Sequence, residues 1–197
     1  TKLVSLVQVS NTLGCLNPIE AIAPLAHAAG ALLLVDACQS LPHLPVDVAQ
    51  LDCDFLVASS HKLCGPTGMG FLWAREALLE AMPPFLGGGE MIQDVYLDHS
   101  SWAELPHKFE AGTPAIGEAI GMGAALDYLQ GLGLDRIHAY EQQLTRLLFD
   151  RLGAIDGVRV LGPTPQQQPD RGALAAFTVE GIHANDLAAL LDSAGIC

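Results

Sequence analysis

Lys62 ends the run Ser59-Ser60-His61-Lys62, directly after the apolar stretch Phe55-Leu56-Val57-Ala58 and ahead of the glycine-rich turn Gly65-Pro66-Thr67-Gly68-Met69-Gly70. A second apolar run, Ala31-Leu32-Leu33-Leu34-Val35, ends in Asp36, and Gln39 follows three residues on. An amine and a carboxylate at the ends of neighbouring buried strands suit one chemistry well. The amine forms a Schiff base with an aldehyde, and the carboxylate holds a ring nitrogen protonated. Pyridoxal phosphate (PLP) requires that pair, because a protonated ring is an electron sink. On this reading Lys62 carries the cofactor and Asp36 tunes it.

Each of these residues also has a plainer reading. Most lysines are solvated surface groups. Lys62 differs in following four apolar residues, and a structural or phosphate-binding role stands open beside the Schiff-base one. Asp36 suits a helix or turn cap. Gln39 adds an amide that suits a ring hydroxyl. His61 fits either a hydrogen-bonded structural histidine or a phosphate donor. Ser59 and Ser60 fit turn positions or phosphate contacts. The glycine turn resembles phosphate-cradling loops, a pattern of low specificity by itself.

The elements that must position these groups follow from the pattern. Leu3 to Val9 reads as a strand, ending in a turn at Ser10-Asn11-Thr12-Leu13-Gly14. Asn17-Pro18 starts a helix to about Ala29, with Asn17 as cap and Gly30 as stop. Ala31 to Val35, Asp54 to Ala58 and Met69 to Ala74 read as strands, Pro42 to Val48 as a loop, and Arg75 to Met82 as a short helix. Continuous apolar strands alternating with helices indicate an α/β fold with a mostly parallel sheet. Open sheets of this kind bind ligands beyond their strand ends, where Asn11, Asp36 and Lys62 fall. Leu86 to Thr113 reads as irregular. Ile116 to Gln130 and Leu134 to Leu152 read as helices, Val158 to Leu161 and Ala173 to Val179 as strands around a Pro/Gln linker. Asn185 caps a last helix over Asp186 to Ser193.

The chain has 197 residues, half of them hydrophobic and 16% charged, which is a globular composition. With 22 acids against 9 bases its formal charge is −13, and no basic cluster suits nucleic acid or an anionic membrane. No apolar run approaches the roughly 20 residues that span a bilayer. Nothing at the N-terminus reads as a signal peptide. Cys15, Cys38, Cys53, Cys64 and Cys197 have no zinc-type spacing, and read as reduced, mostly buried thiols of a cytoplasmic protein. Residue 1 falls inside a β pattern and the chain stops where a strand is due, so the sequence reads as an internal piece of a longer protein.

The run Ser-Ser-His-Lys-Leu-Cys-Gly-Pro-Thr-Gly at 59–68 resembles the PLP-lysine motif of class V (fold-type I) aminotransferases. More narrowly it is similar to that of SUF-type (group II) cysteine desulfurases. Val9-Ser10-Asn11-Thr12-Leu13-Gly14, Val35-Asp36-Ala37-Cys38-Gln39, Gly87-Gly88-Gly89-Glu90-Met91-Ile92 and Phe109-Glu110-Ala111-Gly112-Thr113-Pro114 occur in that family's order. The resemblance implies the fold-type I large domain, represented in part by residues 1–130, and the start of a smaller α+β C-terminal domain over 131–197. It implies that Lys62 is the Schiff-base lysine and a proton carrier, that Asp36 pairs with the pyridine nitrogen, and that Gln39 bonds the phenolic oxygen. Ser59 and His61 would hold the phosphate, Asn11 would lie near the substrate carboxylate and ring oxygen, and Thr113 would reach the phosphate of the other subunit in a homodimer.

The implied reaction converts L-cysteine to L-alanine and leaves sulfur as an enzyme persulfide, bound for a SUF acceptor protein and iron–sulfur cluster assembly. The resemblance places the nucleophilic cysteine and the carboxylate-binding arginine beyond Cys197, so the isolated chain is expected to be inactive. A selenocysteine lyase, a kynureninase-like hydrolase or an aminotransferase would share Asp36 and Lys62. A non-catalytic fragment that no longer binds PLP is the reading from another class.

Overall fold

The apolar runs that precede Asp36 and Lys62 become adjacent strands. In the computed structural model, which describes residues 1–196, β1 (Leu3–Val7) leads to α1 (Ile19–Ala28), β2 (Leu32–Asp36), α2 (Val48–Leu51) and β3 (Phe55–Ser59). Strands β1, β2 and β3 pair parallel in that order. The register sets Val7 beside Asp36, and Asp36 beside Val57. Next comes β4 (Gly70–Ala74), which returns antiparallel to β3 and pairs Gly70 with Ser59. The sheet is therefore mostly parallel, with an antiparallel edge. A Cβ on Gly70 would stand 2.7 Å from the Ala58 carbonyl, so glycine is what lets β4 start this close to β3.

One core fixes this frame. Ile19 and Ala23 of α1 pack on Leu33, Val35 and Leu56, with Ala37, Leu51 and Cys53 closing the cluster. Each large aliphatic side chain buried there contributes about 1.5–3 kcal/mol. Burial also pushes the Cys53 thiol above its usual value. Of the other cysteines, Cys15 and Cys38 are half-buried and Cys64 is exposed, so the expectation of mostly buried thiols holds for Cys53 alone among the described residues. Cys197 lies outside them.

The remaining elements are α3 (Glu76–Ala81), β5 (Ile92–Val95), β6 (Ser100–Trp102), α4 (Ile116–Leu132), α5 (Leu134–Gly153), β7 (Val158–Leu161), β8 (Ala176–Val179) and α6 (Ala184–Ser193). Strands β5 and β6 form an antiparallel hairpin inside the stretch expected to be irregular, and His107–Phe109 adds a 3-10 turn there. The sequence hides them because the strands are short and β5 is mostly exposed. A second two-stranded antiparallel sheet joins β7 to β8. No helix among the described residues is long and apolar enough to cross a membrane.

Three local expectations change. Asn17 does not cap α1; its side chain donates instead to the Val7 carbonyl at 2.8 Å, tying the helix entry to the end of β1. The cap of α6 is His183, whose Nδ1 accepts from the Asn185 amide at 3.2 Å. The loop from Pro42 runs into α2, whose first turn is capped by the Asp47 carboxylate.

Candidate active site

Side chains alternate faces along a strand, so register decides which groups meet. Asp36 stands beside Val57, and Cys38 and Ser59 each lie two residues further along. Asp36, Val57 and Ser59 belong to one face, and the Ser59 hydroxyl meets the sulfur of Cys38, in the turn after β2, at 3.5 Å. The Asp36 Oδ1 accepts the Cys38 amide at 2.9 Å. That is the turn-capping role weighed for this residue, and it leaves the second oxygen uncommitted.

Lys62 sits in a 3-10 turn, Ser60–Leu63, that ends β3. The turn is fixed from both sides. Ser60 and Leu63 are fully buried, and Leu63 packs with Ala58 of β3 and Leu129 of α4. The Ser60 amide donates to Met69 and its carbonyl accepts from Gly65, at 2.9 and 3.0 Å. A Cβ at Gly65 would fall 2.2 Å from the Ser60 Oγ. Across the glycine turn α4 presents Gly121, where a Cβ would stand 3.1 Å from the Pro66 ring. Lys62 thus projects from a rigid turn while staying half-buried.

The other expected residues are distributed unevenly. His61 is exposed beside Lys62, and Asn11 is exposed in the turn after β1. Gln39 lines a small cavity of about 70 Å³ with Val9, Ser10, Gly14, His43 and Gly172. Thr113 does not join the strand-end group; it lines a separate cleft with Glu90, His107, Glu110 and Pro114.

The donor set fits PLP. A carboxylate, an amide, a hydroxyl, an imidazole and an amine match a ring nitrogen, a ring oxygen, a phosphate and an aldehyde. Asp36 and Lys62 carry opposite charges at adjacent strand ends, and neither has an ion-pair partner among the described residues.

Three features around the site carry no motif. Arg171 is fully buried and stacks on Phe149, its carbon Cζ 4.4 Å from the ring centroid. Gln168 bonds both backbone groups of Leu16 through its side chain. His43 meets Glu141 of α5 at 2.8 Å. At the opposite end of the strands Asp54 takes the Leu33 amide at 2.8 Å, His27 at 3.0 Å and Arg75 at 3.1 Å. It therefore anchors β2 and the β3–β4 hairpin at the ends away from Asp36 and Lys62.

The family described as aminotransferase class-V matches residues 1–197. A probable cysteine desulfurase of Synechocystis sp. is 61% identical over 196 residues, which are 100% of this chain and 46% of that protein. A cysteine desulfurase of Escherichia coli is 47% identical over 197 residues, covering 100% of the chain and 47% of the relative. The crystal structure of the cysteine desulfurase CsdA from Escherichia coli superposes with a TM-score of 0.91 at 38% identity, covering 100% of this chain and 48% of that one. A C-DES mutant with glycine covalently linked to its PLP cofactor superposes with a TM-score of 0.86 at 26% identity, covering 99% of this chain and 52% of that one. The chain thus spans about half the length of the curated relatives it matches.

Proposed function

This chain belongs to the class V aminotransferase family, and from that premise we propose that it holds the cofactor of a PLP-dependent cysteine desulfurase. The observation that carries the reading is the unpaired Asp36 carboxylate and Lys62 amine at adjacent strand ends. The substrate, L-cysteine, is taken from the names of the relatives. The overall change is L-cysteine plus an enzyme thiol giving L-alanine plus an enzyme persulfide.

PLP, when bound, supplies an electron sink for the pair left behind as the substrate's α-proton departs. Asp36 holds the proton on the ring nitrogen, an opposite charge favouring the cationic form. Lys62 would hold the cofactor through Nζ, and the same nitrogen would carry protons at the substrate. Gln39 bonds the ring oxygen, Ser59 and His61 hold the phosphate, and Asn11 stands near the substrate carboxylate. Cys53 is unsuited to act as the sulfur-accepting thiolate, because it is buried and burial holds its thiol protonated.

Thr113 is assigned to the phosphate of a second subunit in a homodimer. Support comes from large apolar side chains left exposed at Phe85, Leu86, Val95, Leu97 and Ile120. We divide the chain near residue 130, since the four-stranded sheet lies wholly before that point and the β7–β8 sheet wholly after it. Delivery of sulfur to a SUF acceptor for iron–sulfur assembly rests on the sequence resemblance. A cytoplasmic site is supported by unpaired Cys15, Cys38, Cys53 and Cys64.

Borohydride reduction of the PLP-loaded protein tests the assignment. The reduced cofactor should remain on the peptide that contains Lys62, and Lys62→Ala in the full-length protein should abolish alanine release from cysteine. Normal turnover by Lys62→Ala refutes it.

A further inference from the structure

We propose that Arg171 and Gln168 are positioning residues that clamp the Ser10–Leu16 loop from the far half of the chain and so set where Asn11 stands; this rests on the assignment of Asn11 to the site. Asn11 makes no side-chain hydrogen bond of its own among the described residues, so its place depends on the path of its backbone.

The loop closes itself only in part. Ser10 Oγ accepts the Thr12 and Leu13 amides at 3.2 and 3.1 Å, and the Gly14 amide reaches the Ser10 carbonyl at 2.9 Å. The carbonyls of Leu13, Gly14 and Leu16 all turn to residues 168–172. Arg171 Nη2 donates to Leu13, the Gly172 amide donates to Gly14 at 2.7 Å, and Gln168 Nε2 donates to Leu16 at 2.7 Å. Gln168 Oε1 also accepts the Leu16 amide at 2.9 Å, so one side chain reads that residue as a paired strand would.

Arg171 does more than fill space. Its guanidinium also donates to the carbonyls of Pro163, Gly172 and Leu174, and no carboxylate pairs with it among the described residues. Burial lowers its pKa from the usual arginine value. A buried charge is commonly replaced by apolar packing without loss of stability, so its use here points to direction rather than strength. A planar fork of five donors can hold carbonyls from separate segments at fixed angles, which an apolar side chain cannot do. The loop is shaped to receive it. Gly14 has φ +66°, and a Cβ there would lie 2.7 Å from Arg171 Nη2 and 2.9 Å from the Gly172 carbonyl. The clamp also shares a wall with the cofactor residues, because Gly172 and Leu174 line the same 70 Å³ cavity as Gln39 and Ser10.

The test compares Arg171→Lys, Gln168→Ala and Asn11→Ala in the PLP-loaded full-length protein. Hydrogen exchange of the peptide over 8–17 should quicken about tenfold in the two clamp variants, the scale of one lost hydrogen-bonded contact, while the β2 peptide stays unchanged. With cysteine as substrate, kcat/KM should fall by about 10²-fold, the cost of a misplacement near 1 Å. In the Asn11→Ala background the clamp substitutions should add little further loss, which a merely structural role would not produce. Full additivity, or unchanged exchange over 8–17, overturns the proposal. If Arg171→Lys does not fold, Gln168→Ala leaves the buried guanidinium intact and carries the same comparison. If the unsubstituted full-length protein never processes cysteine, the functional reading fails, and the exchange result alone then decides the clamp.

Discussion

Removing the Asp54 carboxylate should loosen the frame that presents Asp36 and Lys62. The side chain is almost fully buried and accepts three bonds, from Leu33, His27 and Arg75. Asp54→Ala strands the buried Leu33 amide, a loss of about 1–3 kcal/mol. Arg75 is 44% and His27 31% exposed, so each ion pair counts at surface value, about 0.2–1 kcal/mol. The sum is about 3 kcal/mol, or about 6–12 °C in Tm for a chain of this size. Burial by itself would raise the Asp54 carboxyl; the Leu33 amide, His27 and Arg75 more than reverse that and hold it below its usual value. A depressed carboxylate stabilises the fold above its unfolded pKa of about 3.9, and that contribution fades as pH falls through the lower folded value. The gap between the parent and Asp54→Ala should therefore be full at pH 7 and shrink progressively below about pH 4. Guanidinium denaturation across that range measures it. Asp52→Asn is the control: Asp52 touches Arg75 at 2.6 Å but is 57% exposed, so the change should cost less than about 1 kcal/mol. Equal losses from the two variants, or less than about 1 kcal/mol from Asp54→Ala, would refute the reasoning.

In the full-length protein, Asp36→Ala should fold, bind PLP, and lose several powers of ten in cysteine turnover, if charge stabilisation there is worth about 3–5 kcal/mol; a loss under tenfold in steady-state assays counts against the ring-nitrogen role. Gly65→Ala drives a methyl to within 2.2 Å of the Ser60 Oγ and should cost about 1–3 kcal/mol while reducing the yield of borohydride label on Lys62. Among the four described thiols, labelling under native conditions should modify exposed Cys64 first and buried Cys53 last; the reverse order would contradict the burial described.

The strand frame was legible because its information is local. Ala31–Val35 and Phe55–Ala58 are uninterrupted apolar runs; Asp36 follows the first directly and Lys62 follows the second by four positions. The antiparallel return of β4 was not legible: Gly70–Ala74 is as apolar as its parallel neighbours, and direction is set by the short excursion that precedes it. The β5–β6 hairpin escaped because its strands have four and three residues and no continuous apolar face. Asn17 looked like a helix cap, since Asn-Pro commonly starts a helix, but the nearby Val7 carbonyl competes for the same side chain. Arg171 and Gln168 sit in the stretch between β7 and β8, and their hold on the Ser10–Leu16 loop runs through partners more than 150 positions away. No periodicity or spacing rule reaches that far. An arginine next to Asp170 in a run with no other charge, ahead of Gly172, was the one available hint.

That separation also orders events during synthesis. Val7, Asp36 and Ser59 join a sheet whose pairings close within the first 74 residues. The Leu13–Arg171 bond spans 158 positions. At roughly 5–20 residues per second, the ribosome delivers Arg171 roughly 8–30 s after Leu13. Over that interval the nascent chain holds its lysine and aspartate on a formed sheet while the Asn11 loop has no clamp, so the ends of β2 and β3 are laid down first and the pocket beside them is finished late.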